Sequence, residues 1–328
     1  MNVLYLGDFH RYCTEAMIAD VFERLGHGVV RVSTRDATLP SLAAECERVR
    51  PDIFLFAKAM FVGATDWPDA AEHVVRLLTA IRPHVGAIVG WHWDLTAAEF
   101  SHARFAWMAR VCPHVDLFAM SDGHTARQLP NTFVLRDGSF EDVDTSPETA
   151  GYWPDYGRPE AFAGDALFVG SLYRERRAWW EHLQRTRVSG RQVGSLRLDC
   201  VGSLGVAEVR GPRLTRLVRS YKIVLQPPTP YFPHYWSDRI TVMAGHGALM
   251  GAPKVEGMEA DGWIAGRNYL ELPIDVEGYA AALAGYVSSS NPGFLAAVRR
   301  AGFEHAMRHC SWTKRVEALL AELAGKRR

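Results

Sequence analysis

The sequence predicts an α/β chain of two doubly wound domains facing a cleft. Three observations carry this. At 328 residues the chain is too long for one small core, and two domains of ordinary size are the natural division. Its apolar runs are short and continuous and alternate with amphipathic stretches, the pattern of buried parallel strands joined by helices. The alternation stops at a stretch rich in Asp, Glu, Gly and Pro near the middle of the chain, and then resumes.

Along the first half, strands are expected at "NVLYLG" (2–7), "GVVRVS" (28–33), "DIFLFA" (52–57), "VGAIVGW" (85–91), "VDLFAM" (115–120) and "NTFVL" (131–135). Helical periodicity falls near 14–25, 41–50, 68–82, 96–111 and 123–129. Residues 1–140 therefore read as one Rossmann-like domain and 141–164 as a linker, with Tyr152, Trp153 and Tyr156 available to pack it down. Residues 165–328 read as the second such domain. Its strands are "DALFVG" (165–170), 196–201, "KIVLQP" (222–227) and 248–250, and its helices are 173–187, 213–220 and 237–246. Helices near 276–288, 293–308 and 312–325 close the chain. In such sheets ligands bind outside the carboxyl ends of the strands.

Composition excludes several classes. With 48% hydrophobic and 23% charged residues the chain is an ordinary globular one. No apolar run reaches the ~18 residues of a membrane span, and "MNVLYLGDFH" lacks the basic flank and cleavage site of a signal peptide. Five scattered cysteines without a CxxC exclude a zinc ribbon and disfavour a disulfide framework, so a cytoplasmic location is expected. The zero net charge hides an asymmetry: residues 1–150 carry −7 and residues 151–328 carry +7. The acidic first half argues against a duplex-binding face, while the basic second half suits an anionic small molecule.

Two blocks in the second half carry the chemistry. In "DALFVGSLYRERRAWWEHL" (165–183) a buried strand ends at Gly170-Ser171 and an Arg-rich helix follows. Glycine there lets a ligand approach the backbone, and the helix start offers unpaired N–H groups to a phosphate. An ordinary turn with solvated arginines has the same spacing, since neither GxGxxG nor GxxxxGK[ST] is present. In "RSYKIVLQPPTPYFPHYWSDRITVMAGHGALMGAPKVEGME" (219–259), Lys222 opens a strand and Arg239 begins a helix. Arg176, Lys222 and Arg239 at successive strand-to-helix units are expected to converge on a diphosphate.

These blocks carry a family resemblance. "FVGS-x-Y-x-x-R", "YKI-x-L", "WS-x-R…G-x-G" with "VEGME", and the closing "AGFEHAMRHCSWTKRVEALL" resemble the CgeB-like glycosyltransferases, within the group-1 enzymes of GT-B fold. The resemblance covers about 165–320; residues 1–150 match only in layout. It implies transfer of a hexosyl or pentosyl unit from a nucleotide-diphosphate sugar such as a UDP-sugar to an acceptor hydroxyl, without a metal or other cofactor. Carried over by position, Gly170, Ser171, Tyr173, Arg176, Lys222, Arg239 and Gly247 lie against the donor. The acceptor stays open among a polysaccharide, a protein, a small molecule and a modified nucleic-acid base.

The sequence departs from the group-1 pattern where two glutamates stand eight positions apart: His234 and Val242 occupy those places. Glu256 or Glu259 is the nearest replacement for one of them. On the acceptor side, Asp8 and His10 follow the first strand, and His92 and Asp94 follow the fourth. Asp or His suits a general base for the acceptor hydroxyl, with Asp94 and His10 preferred; helix-capping aspartates and cleft-lining histidines are the plainer account. Trp91, Trp93, Tyr231, Phe232, Tyr235 and Trp236 can stack on a sugar or base, or simply pack a core. No HxH, HExxH or DxD metal pattern stands out. A nucleotide-sugar epimerase of the same fold and a non-catalytic nucleotide-sugar-binding protein are the rival functions.

Overall fold

The computed structural model describes the chain except residues 11–12, 58–66, 100, 140–152, 173–174, 189–190, 193–195, 203–208, 210, 229 and 327–328, together with the side chains at 67–69, 159 and 191–192. Tyr173 and the expected linker's first residues, Tyr152 included, thus lie outside the described residues. The chain divides into two compact units, Met1–Asp137 with Trp312–Arg328, and Gly138–Ser311.

The first unit contains β1 (Asn2–Gly7), α1 (Thr14–Arg24), β2 (Gly28–Ser33), α2 (Leu39–Val49), β3 (Ile53–Ala57), α3 (Trp67–Ile81), β4 (Ile88–His92), α4 (His102–Val111), β5 (Leu117–Met120), α5 (Gly123–Ala126) and β6 (Thr132–Val134). Its strands form one sheet in the order β2-β1-β3-β4-β5-β6, with every neighbouring pair parallel. The three central strands β3, β4 and β5 are buried along their whole length, which is why they read as unbroken apolar runs. Leu4, Phe54, Phe56, Ile88 and Phe118 form one face of the core with α2, α3 and α4. The helix expected from residue 96 starts only at His102. Thr96 is held instead by Asp122, and Ser101 caps the helix by accepting from the Arg104 amide.

The second unit contains β7 (Gly164–Val169), α6 (Glu175–Arg185), a hairpin of β8 (Arg187–Val188) and β9 (Arg191–Gln192), β10 (Leu198–Val201), α7 (Pro212–Arg219), β11 (Tyr221–Leu225), α8 (Arg239–Gly245), β12 (Met250–Ala252), β13 (Leu270–Glu271), α9 (Val276–Val287) and α10 (Pro292–His309). Its main sheet runs β10-β7-β11-β12-β13, again all parallel. Alternate strand residues feed two layers. Leu167 and Val224 pack with α7 and α8, while Ala166, Phe168, Ile223 and Leu225 pack with α6, α9 and α10.

Two boundaries differ from the sequence reading. The last helix, α11 (Trp312–Lys326), belongs to the first unit: Trp312 meets Trp91 edge-on at 5.7 Å, and α11 packs beside α1. Residues 153–163 are part of the second unit, packed onto it by Trp153 and Tyr156, two of the aromatics expected to hold the linker down. Trp153 lies under the Arg219 and Arg300 guanidiniums at 5.2 and 5.1 Å, and the Tyr156 hydroxyl donates to the Lys222 carbonyl at 2.6 Å.

Candidate functional site

In each sheet the chain reverses its direction of winding at one place. The second sheet starts at β7, steps out to β10, and resumes on the other side at β11, so the crevice lies between the carboxyl ends of β7 and β11. Arg239, the first residue of α8, bridges that crevice. Its Nε donates to the Val169 carbonyl at the end of β7 at 2.6 Å, and one terminal nitrogen donates to Gln226 Oε1, just past β11, at 3.1 Å. The same nitrogen reaches Ser237 Oγ at 3.2 Å, and the guanidinium stacks over Phe168 at 5.1 Å. Its charge is felt by Cys200: burial pushes that thiol up to about 11, against the downward pull of Arg239.

Gly170 follows β7 directly and has φ +141°. A β-carbon there would meet an Arg239 terminal nitrogen at 2.6 Å, so only glycine lets the guanidinium lie along this strand end. Ser171, exposed beside it, donates to the Gly202 carbonyl at 3.4 Å.

A shallow pocket open to solvent lies at this edge. Arg176 enters it from the first turn of α6, Gln226, Pro227 and Pro228 from the end of β11, and Tyr231, Tyr235, Trp236 and Ser237 from the segment before α8. Val255 and Met258, beyond β12, complete the apolar part. The pocket therefore combines aromatic and proline surface with a cation at a strand-end crevice, the makeup of a site for a flat ring bearing an anionic group. Of these residues, sequence reading did not single out Gln226, Pro227, Pro228, Ser237, Val255 and Met258. Gln226 was recoverable as the first residue beyond a central strand.

Three carried-over donor residues sit elsewhere. Lys222 lies at the amino end of β11, where its ammonium pairs with Asp165 at 2.8 Å. Asp165 is four positions before the Val169 carbonyl that holds Arg239, so the two cations are separated by about 13 Å along the strands. Lys222 does not join Arg176 and Arg239. Gly247 closes the far end of α8 at φ +81°, with the Gly247 and Ala248 amides bonded back to Ala244 and Met243. That is a helix-terminating Schellman turn, and a β-carbon on Gly247 would meet Arg219 Nε at 2.5 Å. The glycine makes room for Arg219. Glu259 is exposed and paired with Lys254 at 2.6 Å, outside the pocket lining. Val242 is buried in the core beside α8.

In the first unit the winding reverses between β1 and β3. Asp8 and His10 follow β1 at that crevice: His10 Nε2 lies 2.7 Å from Asp8 Oδ2, and Arg35 reaches the same oxygen at 3.3 Å. His92 ends β4 with its ring buried, and Asp94 is exposed in the loop after it. The buried carboxylate nearby is Asp122, which accepts from the Thr96 amide and hydroxyl, the His124 and Thr125 amides and the Thr125 hydroxyl. It ties the loops after β4 and β5 together. Among the described residues no group of three or more His, Cys, Asp or Glu is placed to hold a metal ion, and no helix is long and apolar enough to cross a membrane.

No protein-family model matches the chain, and no curated protein matches its sequence. Solved structures do match in fold. HepE of Anabaena, in complex with UDP and glucose, superposes with TM-score 0.63 at 12% identity, covering 99% of this chain and 100% of its own. Sucrose-phosphate synthase of Thermosynechococcus elongatus gives TM-score 0.65 at 11% identity, covering 99% and 100%. An alpha-glucosyltransferase in complex with UDP and a mismatched 13-mer DNA gives 0.68 at 10%, covering 98% and 99%. The fold is that of the GT-B glycosyltransferases.

Proposed function

We propose that the chain is a glycosyltransferase taking its sugar from a UDP-linked donor. The observation that carries this is the second unit's pocket, where Arg176 meets Tyr231, Tyr235 and Trp236, and whose Gln226 and Ser237 are bonded to Arg239 at the crevice between β7 and β11. Structural neighbours crystallised with UDP, and with UDP-glucose, support the choice of donor.

On this reading the base lies against Tyr231 and Tyr235, and the diphosphate lies toward Gly170, Arg176 and Arg239. As the bond between the sugar's anomeric carbon and the β-phosphate oxygen breaks, negative charge grows on the departing UDP. Fixed guanidiniums stabilise that charge more strongly than they stabilise the bound donor. The side chains meet it without a divalent ion. The acceptor oxygen forms the new bond, and its proton passes to His10. Asp8, accepting from Nε2–H, leaves Nδ1 of His10 to take that proton. The acceptor is a hydroxyl of a saccharide, a protein, a small molecule or a modified base.

Calorimetric titration with UDP tests the site. Wild-type protein is expected to bind UDP one to one, and Arg239→Ala to weaken binding by roughly 1.5–3 kcal/mol, the scale of a charge-assisted contact. Equal affinity in the two proteins would remove Arg239 from the donor site.

A further inference from the structure

Two loops line the aromatic side of the second unit's pocket. Tyr231, Tyr235 and Trp236 come from the segment after β11, and Val255 and Met258 from the turn after β12. A pair of residues outside the lining joins these loops. His234 Nε2 lies 2.9 Å from Glu256 Oε1, and the His234 amide donates to the Glu256 carbonyl at 3.2 Å. A third link, from the Tyr231 hydroxyl to the Lys254 carbonyl, spans 3.4 Å.

His234 also has φ +55°, a left-handed conformation that a side chain bearing a β-carbon disfavours. Such a conformation persists only where its surroundings over-determine it. Here a tight turn, with the Tyr235 amide bonded to the Phe232 carbonyl at 3.3 Å, meets the double attachment to Glu256. The imidazole is 15% exposed and the carboxylate 68%, so the pair stands at the surface end of the two loops. With its carboxylate this open to water, the pair adds little to folding stability. Its consequence is geometric, because Tyr235 and Trp236, which follow His234, and Val255, which precedes Glu256, line the pocket.

We propose that His234 and Glu256 form a clasp that fixes the spacing of these two loops and so positions the Tyr235 and Trp236 rings for the ligand. That the ligand is a UDP-sugar rests on the glycosyltransferase reading; the clasp itself does not. Both members are positioning residues, acting through the aromatic rings. A pocket preset in this way loses less freedom when a ring system enters it.

Hydrogen–deuterium exchange on the full chain, with UDP titration beside it, tests the clasp in His234→Gly, His234→Asn and Glu256→Ala. Glycine relieves the left-handed strain while removing the imidazole. Asparagine tolerates that conformation and keeps a donor for Glu256. Faster exchange is expected in both residues 231–237 and residues 253–258 for the Gly and Ala variants, with melting temperatures within about 2 °C of wild type. UDP affinity should fall about 5–20-fold in those two variants and return to within about threefold of wild type in His234→Asn. Glu256→Ala exchange confined to 253–258, or wild-type UDP affinity in His234→Gly, would overturn the clasp. If the wild-type protein binds no UDP, the glycosyltransferase reading falls, and coupled or uncoupled exchange of the two loops still decides the clasp.

Discussion

Gly247→Ala separates a structural glycine from a ligand-binding one. Gly247 has φ +81°, and the left-handed region costs an alanine about 1–2 kcal/mol. The added β-carbon would also stand 2.5 Å from Arg219 Nε and 3.1 Å from one of its terminal nitrogens. Arg219 is 2% exposed and its Nε donates to the His246 carbonyl at 3.1 Å, so it cannot swing into water without abandoning that bond. Losing a charged hydrogen bond of this kind costs about 1.5–3 kcal/mol. Together the two effects destabilise the second unit by about 3 kcal/mol or more, which corresponds to a drop of roughly 6–12 °C in its melting temperature. Scanning calorimetry reads the loss and titration with UDP reads the site. The expected outcome is a large fall in melting temperature with UDP affinity kept within about threefold at a temperature where the variant is folded. An unchanged melting temperature with a tenfold or greater loss of UDP affinity would refute the assignment and return Gly247 to the donor site.

Further predictions concern Asp165, His10 and Tyr235. Burial alone would raise the Asp165 carboxyl, but its hydrogen bonds from Lys222 and the Arg197 amide, with both cations nearby, hold it below its ordinary value. A depressed carboxyl contributes stability that is complete above its unfolded pKa of about 3.9 and disappears as pH falls through the folded value. Asp165→Asn should therefore cost about 1–3 kcal/mol at neutral pH, with the gap to wild type flat between about pH 5.5 and 7.5 and closing below about pH 4 in urea titrations. A gap that does not narrow at all as pH falls below about 4 would contradict the ion-pair account. His10→Ala should lower kcat for sugar transfer by about 10²–10⁴-fold while leaving UDP affinity unchanged; equal loss of both would make His10 a binding residue. Tyr235→Ala should weaken UDP by about 1–2 kcal/mol through lost stacking, with calorimetry showing no change if the ring does not meet the base.

Much of the fold was legible because parallel strands are buried on both faces and announce themselves as unbroken apolar runs, as in "IFLFA" of β3 and "LFAM" of β5. The return of α11 to the first unit was not, because it depends on Trp312 meeting Trp91 from the far end of the chain, a contact with no local signature. The same limit governs the site. Gly170 was readable from its place just beyond a strand, and Arg176 and Arg239 from their places in the first turns of the helices that follow, where crevice residues stand. Lys222 was misplaced because a five-residue strand has two ends, and its role as a partner of Asp165 follows from register rather than type. Gly247 shares its residue type with a phosphate-approach glycine, yet the buried Arg219 beside it comes from another helix. His234 reads as a lost carboxylate in sequence; in the fold it holds one, Glu256.

The central claim is that this chain releases UDP from a UDP-sugar by transferring the sugar. It is tested most directly by following UDP release from UDP-glucose by nuclear magnetic resonance, alone and with saccharide, protein and small-molecule acceptors. The account predicts slow UDP release in water that an acceptor accelerates, and that Arg239→Ala and His10→Ala both suppress. A UDP-sugar that binds and stays intact under every condition, or turns into its epimer with no UDP released, would contradict it.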